Sequence, residues 1–244
     1  PAPGAPSPAP ATRAYPIRVS APPGAPAWVA RGLYGGAIND AQISPDYPAD
    51  HTLFLRGNSA DSYRSTDQGA NWSRLLVDTT RLGEGLNTLR LSPVYSQNST
   101  APDASTIFVS SGPLGVWRST NHGNSFAASN TGLPGLTTEN GPGESALAIS
   151  PAFVSDRTLW VGAYNVNTLT LYKSINAGGN WTAVATFPAA PTTAILQIVP
   201  SPAFAADRTL FLIIIGECYR SADAGSTWAK LFPPPTDGGF KSYH

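Results

Sequence analysis

Apolar residues in this chain come in short runs, and the same two polar phrases keep closing them. The first phrase is built on Ser-Pro: ISPDYPADHTLF (43–54), LSPVYSQNSTAPDASTIF (91–108), ISPAFVSDRTLW (149–160) and PSPAFAADRTLF (200–211). The second is STDQGANW (65–72), STNHGNSF (119–126), SINAGGNW (174–181) and SADAGSTW (221–228), whose leading serines stand 54, 55 and 47 residues apart. Each unit reads as an apolar strand, a Ser-Pro turn, a second strand and a short loop. A third strand ending in an aromatic and a basic residue follows, then the motif turn and a fourth strand. Four short strands in roughly 50 residues is the period at which propeller blades occur. No helix is expected anywhere in the pattern.

The residues have local reasons for these places. Pro45, Pro93, Pro151 and Pro202 cannot donate to a ladder and so end their strands, while Asp156 and Asp207 suit the turn that starts the next. In the second phrase Gly69, Gly123, Gly178 and Gly225 can supply the positive φ of a tight hairpin. Asp67 and Asp223, with Asn121 and Asn176 in the weaker copies, can accept backbone hydrogen bonds in that turn from the side Ser65, Ser119, Ser174 and Ser221 open. Trp72, Phe126, Trp181 and Trp228 are then expected to begin the fourth strand with a large buried ring.

The pattern Ser, any, Asp, any, Gly, any, Thr or Asn, Trp resembles the Asp-box, or bacterial neuraminidase repeat, of sialidases, some endoglucanases, sortilin-type receptors and photosystem-assembly propellers. The match runs from Asn39 to Pro233, with Asn for Asp in two copies. The resemblance implies an all-β fold, a β-propeller of four-stranded antiparallel blades in which the box turns from third to fourth strand on the outer rim. It also implies that catalytic groups lie elsewhere, so the motif reads as a folding device. A degraded fifth copy in IRVSAPPGAPAW (17–28) suggests five blades. One is then composite, with outer strands from residues 15–34 and an inner strand from 240–243; four blades or an incomplete arc are the alternatives.

Composition narrows the partners. The chain has 244 residues, 41% of them hydrophobic, enough for one large all-β domain over 15–244. Its formal net charge of zero offers no field to recruit nucleic acid or an anionic membrane. The longest apolar run, LFLIIIG (210–216), is far short of the roughly 20 residues of a spanning helix, so no membrane insertion is expected. The single Cys218 excludes an internal disulfide and reads as a packed strand residue. The absence of Met reads as a processed or excised product, and the Pro/Ala-rich stretch 1–14 as a linker or extended arm.

Candidate chemistry is sparse. A sialidase-like site would need clustered arginines, a Tyr and Glu pair and an acid. Here Arg64, Arg118, Arg220 and Lys173 recur before the motif Ser, and Arg157 and Arg208 recur in DRTL, which marks them as structural; Arg31, Arg81 and Arg90 form no convergent set. Acids for a paired-carboxylate glycosidase would come from Asp40, Glu84, Glu139 and Glu144 near inner strands, and from Glu217. His51, His122 and His244 are scattered, and one carboxylate per motif turn gives calcium too few oxygens, so no metal or cofactor is expected. Of three sequons, Asn71 and Asn180 arise within the motif, whereas Asn98 lies in an insertion of one blade only and is the candidate for glycosylation.

The reading is a non-catalytic extracellular or cell-surface module that presents loops and faces to a protein or glycan, or to further copies of itself. The alternative is a glycan-active hydrolase with acids at the central mouth.

Overall fold

The computed structural model describes residues 38–57, 62–75, 86–111, 115–134, 146–165, 168–188, 195–214 and 217–231. All belong to the unit Arg31–His244. They form four four-stranded antiparallel sheets, each in chain order. Blade I is β1 (Ile38–Ile43), β2 (Leu53–Gly57), β3 (Ser62–Ser65) and β4 (Ser73–Leu75). Blade II is β5 (Leu86–Leu91), β6 (Ile107–Ser111), β7 (Gly115–Ser119) and β8 (Ala127–Ala128). Blade III is β9 (Leu147–Ile149), β10 (Leu159–Asn165), β11 (Thr168–Ser174) and β12 (Thr182–Pro188). Blade IV is β13 (Ile195–Pro200), β14 (Leu210–Ile214), β15 (Glu217–Ser221) and β16 (Ala229–Lys230). First strands meet: β5 lies against β1 and β9, and β13 against β9. This is a four-blade β-propeller arrangement with the first strands innermost. The linker at 1–14 and the composite blade from 15–34 and 240–243 lie outside the described residues.

One expectation is corrected. Three single-turn helices follow the Ser-Pro phrases: α1 (Tyr47–Asp50), α2 (Phe153–Asp156) and α3 (Phe204–Asp207). Each opens on an aromatic residue and closes on a left-handed one, at His51, Arg157 and Arg208, whose N–H returns to the aromatic carbonyl at 2.9 Å. A single turn is too short to print a 3.6-residue period in the sequence, which is why the pattern hides it. Below each turn the same clasp recurs. Ser44, Ser150 and Ser201 donate to Asp50, Asp156 and Asp207 at 2.6–2.7 Å, and each Asp accepts the N–H of Thr52, Thr158 or Thr209 at 2.9 Å. In blade II the insertion replaces the helix, and Asp103 takes the left-handed conformation (φ 64°).

The aromatic of each Ser-Pro turn is the bolt between blades. Tyr95 of blade II meets Phe54 of blade I edge-on at 5.5 Å; Phe153 of blade III meets Phe108 of blade II at 5.6 Å; Phe204 of blade IV meets Trp160 of blade III at 4.9 Å. All six rings are 1% exposed or less. Edge-to-face pairs of this kind add to simple burial. Among the described residues the bolt is not made at the two ends of the series: Tyr47 and Phe211, at the same positions, are only half-buried. Ile43, at the place where Leu91 is 7% exposed, is 63% exposed.

Candidate binding face

The two phrases form a linked pair of turns at one end of every blade, because strands 1 and 2, and strands 3 and 4, are joined at that same end. In the second phrase the buried Ser65, Ser119, Ser174 and Ser221 hydroxyls accept the N–H of Gly69, Gly123, Gly178 and Gly225 at 2.8–2.9 Å. Each donates in turn to Oδ1 of Asp67, Asn121, Asn176 or Asp223 at 2.7–2.9 Å. That same oxygen accepts the N–H of Asn71, Ser125, Asn180 or Thr227 at 2.8–2.9 Å. An amide oxygen makes the bond as a carboxylate oxygen does, which is why Asn serves in blades II and III.

The glycine is only half of the turn. The residue before it is left-handed too, at Gln68, His122, Ala177 and Ala224 (φ 56–61°), so two consecutive residues carry positive φ, the signature of a type I′ turn. Their N–H groups bond to the carbonyls of His51, Ser105, Arg157 and Arg208 at 2.9–3.2 Å, fastening the motif turn to the Ser-Pro turn of the same blade. This second contact over-determines a conformation that a non-glycine residue would otherwise avoid.

The closing aromatic departs from expectation. It stands just ahead of the fourth strand, and only Trp181 is buried, at 4% exposure; Trp72, Phe126 and Trp228 are half-buried. Trp72 and Trp228 cap their own turns, donating Nε1–H to Gly69 and Gly225 at 3.0 Å. Trp181 instead donates to Ser129 of blade II at 2.7 Å, where Ser129 also donates to the Gly178 carbonyl at 2.6 Å. Trp228 also meets Phe187 of blade III edge-on at 5.6 Å, yet stays half-buried.

The recurring cations stitch neighbouring blades. Arg64 of blade I donates to the His122 carbonyl and, at 3.2 Å, to Asn124 Oδ1 in blade II; Lys173 of blade III donates to the Ala224 carbonyl of blade IV at 3.2 Å. Arg118 lies over the Phe108 ring, and burial lowers its pKa and that of Lys173. Arg157 pairs with Asp103 across blades III and II. Arg220 is exposed, and Arg208 lies exposed on its turn.

Every described carboxylate is engaged within the fold. Asp40 pairs with Arg90 at 3.1 Å across the first strands of blades I and II, and accepts from Gln42 at 3.2 Å. The sequence offered these two as separate candidates. Glu217 lies on β15, a third strand, bonded to Lys230 and Tyr219. Lys230 is the chief reason its carboxyl is lowered, and burial, with Glu217 second, pushes the Tyr219 phenol up to about 12. Asp46 accepts from Ser96 at 2.7 Å. Asp67 is lowered to about 2, first by the backbone N–H of Asn71; Asp223 also to about 2, first by the Thr227 hydroxyl. Asp207 is lowered by Ser201. The resolved carboxylate shifts are all downward, the opposite of what a general acid needs. Glu84, Glu139, Glu144, Arg31, Arg81 and His244 lie outside the described residues. His51 and His122 stand on separate turns, His122 contacting the Ser96 carbonyl at 3.1 Å, and no cluster suited to a metal occurs among the described residues. Cys218 is half-buried and free.

What sequence reading missed is apolar. Among the described residues six large hydrophobic side chains are exposed, and four of them, Ile43 (63%), Val94 (44%), Val154 (43%) and Ile175 (69%), lie on or beside these turns. Pro45, Pro48, Pro151 and Pro202 are exposed beside them. The four hydrophobic side chains belong to blades I, II and III, one or two to a blade. Their signal in the sequence was an apolar residue inside a turn phrase. The insertion of blade II is pinned here as well: Gln97 N–H donates to Asp50 at 2.8 Å and the exposed Asn98 donates to Ala49 at 3.1 Å.

No protein-family profile matches the chain, and no curated protein matches its sequence. Solved structures do resemble it. A GH74 enzyme of Niastella koreensis superposes with a TM-score of 0.59 at 21% identity, over 82% of this chain and 30% of the enzyme. The extracellular domain of the putative one component system BT4673 from B. thetaiotaomicron superposes at 0.56 and 12%, over 83% and 23%. YCF48 from Cyanidioschyzon merolae superposes at 0.52 and 16%, over 80% and 56%. The chain thus spans less than a third of the first two proteins, and identities this low establish the propeller fold alone.

Proposed function

We propose that this chain is a non-catalytic binding module outside the cell or at its surface, and that the turn end of the blades is its docking face for a protein partner. The carrying observation is that Ile43, Val94, Val154 and Ile175 stand exposed on or beside these turns, with exposed prolines next to them. The face favours protein over glycan because its four exposed large hydrophobic side chains are aliphatic and give a sugar no fully exposed ring on which to stack. Co-purification from producing cells, then titration of the purified partner, tests this reading. Val154→Asp and Ile175→Asp, both at exposed sites, should weaken binding by about tenfold or more, since each desolvates a charge against an apolar surface. Unchanged affinity in both would refute the assignment of the face.

The competing reading is a glycan-active hydrolase, favoured only by the fold shared with GH74 enzymes. Reducing-end release from xyloglucan and from sialosides separates the two. No release is expected; release that Asp40→Asn abolishes would establish the hydrolase.

We also infer five blades. The half-buried Tyr47 and Phe211 and the exposed Ile43 leave a place between blades IV and I, and a composite blade from residues 15–34 and 240–243 would supply it. Deleting 236–244 should then promote aggregation by baring a sheet edge. Asn98, exposed on its pinned loop, is the proposed glycan acceptor, checked by intact mass from a glycosylating host.

A further inference from the structure

Two of the four outer strands are blunt, β8 and β16 with two residues each, and β4 is described over three. The fourth, β12, runs seven, Thr182 to Pro188, and pairs with β11 from Lys173↔Thr182 to Thr168↔Pro188. It is last in its sheet, so among the described residues its other edge faces no strand. Exposed edges are usually managed by brevity, charge, proline or a bulge. The strand reads TAVATFP, with no charged residue, proline only at its final position, and one bulge at Val184, after which Ala185 to Pro188 pair in unbroken register with Leu171 to Thr168. Nor is it loosely held. Phe187 is 5% exposed and packs at 5.0 Å on Tyr219 and 5.6 Å on Trp228 of blade IV, and Val184 and Ala185 rest on the same core. A well-packed, uncharged strand whose outer edge meets no described strand is a template for one more strand.

We propose that β12 is a self-association edge at which two copies of this chain pair antiparallel about a two-fold axis, joining two blades III into one eight-stranded sheet. Charge selects the occupant. Under two-fold symmetry residue i of one copy faces residue j of the other and j faces i, the residue at the axis facing its own mate, so charges of one sign on a short edge are brought close to one another. Blade I carries Arg74 on β4 and blade IV Lys230 on β16, which oppose self-pairing, and β8 is too short to hold a ladder. On β12 the exposed side chains are Thr182, Ala183 and Thr186, which set neither charge nor bulk against their mates.

Sedimentation velocity of the full chain over a concentration series tests the proposal, with a Thr182→Lys/Thr186→Lys double variant beside it. Both sites are exposed, so unfolding curves should show the fold intact. The wild type should pass from monomer to dimer as concentration rises, and the lysines should weaken that equilibrium by roughly tenfold or more. Hydrogen exchange on the wild type gives an independent readout: amides 182–187 should gain protection as dimer forms. A monomer at every concentration up to the solubility limit would overturn the proposal. So would a dimer indifferent to the lysines, or protection gained elsewhere. Protection of 182–187 by an extended peptide added to a strictly monomeric chain would also overturn it, assigning the edge to a foreign strand.

Discussion

Phe204→Ala should remove one of the bolts between blades, and its cost can be worked from its surroundings. The ring is 1% exposed, meets Trp160 edge-on at 4.9 Å, and sits in a core that also holds Leu169, Leu171, Leu210 and Leu212. Truncating a fully buried Phe typically costs about 3–5 kcal/mol, the residual cavity included. The lost ring pair accounts for about 0.5–1.5 kcal/mol beyond burial. A value of about 4 kcal/mol is therefore expected, which in a unit of this size means a fall in Tm of about 10 °C. Tyr47→Ala is the internal control. It changes the same position of the same turn in blade I, where the side chain is half-buried and meets no second-strand ring among the described residues. Its cost should be about 1–2 kcal/mol. Equilibrium unfolding in urea, followed by tryptophan fluorescence, measures both, provided the slope of the transition is unchanged. Equal losses for the two variants would refute the idea that the bolts, rather than the turns themselves, carry this energy.

Trp160→Phe should behave unlike an ordinary core truncation. The indole N–H is buried with no acceptor among the described residues, and the equivalent positions hold Phe54, Phe108 and Phe211. Removing an unsatisfied donor recovers about 1–3 kcal/mol and offsets the lost volume, so stability within about 1 kcal/mol of wild type is expected in the same urea assay. A loss above about 3 kcal/mol would mean that the N–H has a partner. Acid should act through the motif turns of blades I and IV. Asp67 and Asp223 have folded pKa values of about 2, below the usual carboxylate value of about 4, so the unfolded chain takes up protons first. Their contribution is whole above about pH 4 and is lost as the pH falls toward 2. A D67N/D223N variant should show a shallower fall of stability across that window; parallel profiles would contradict the assignment.

Much of the architecture was legible because it is local. The serine of each motif turn, its Asp or Asn two residues on and its Gly four residues on all interact within one turn, so their spacing alone reports the hairpin. Strand order followed from the same repeat, since each unit pairs with itself before it meets a neighbour. The helical turns escaped because four residues cannot show a period. The doubled left-handed geometry escaped because Gln68, His122, Ala177 and Ala224 have nothing in common as residue types, and what holds them is the carbonyl of a distant turn.

The sequence by itself therefore determined the blade, its turns and the identity of the cations and rings that recur in it. Only tertiary structure decided what those residues do between blades. It set Arg90 on Asp40, buried Trp181 while leaving Trp228 half open, and left Ile43, Val94, Val154 and Ile175 exposed on or beside their turns. The physical reason is range: hydrogen bonds within a turn are set by residues a few positions apart, whereas burial and ion pairing between blades join residues about 50 positions apart, whose meeting no local pattern records.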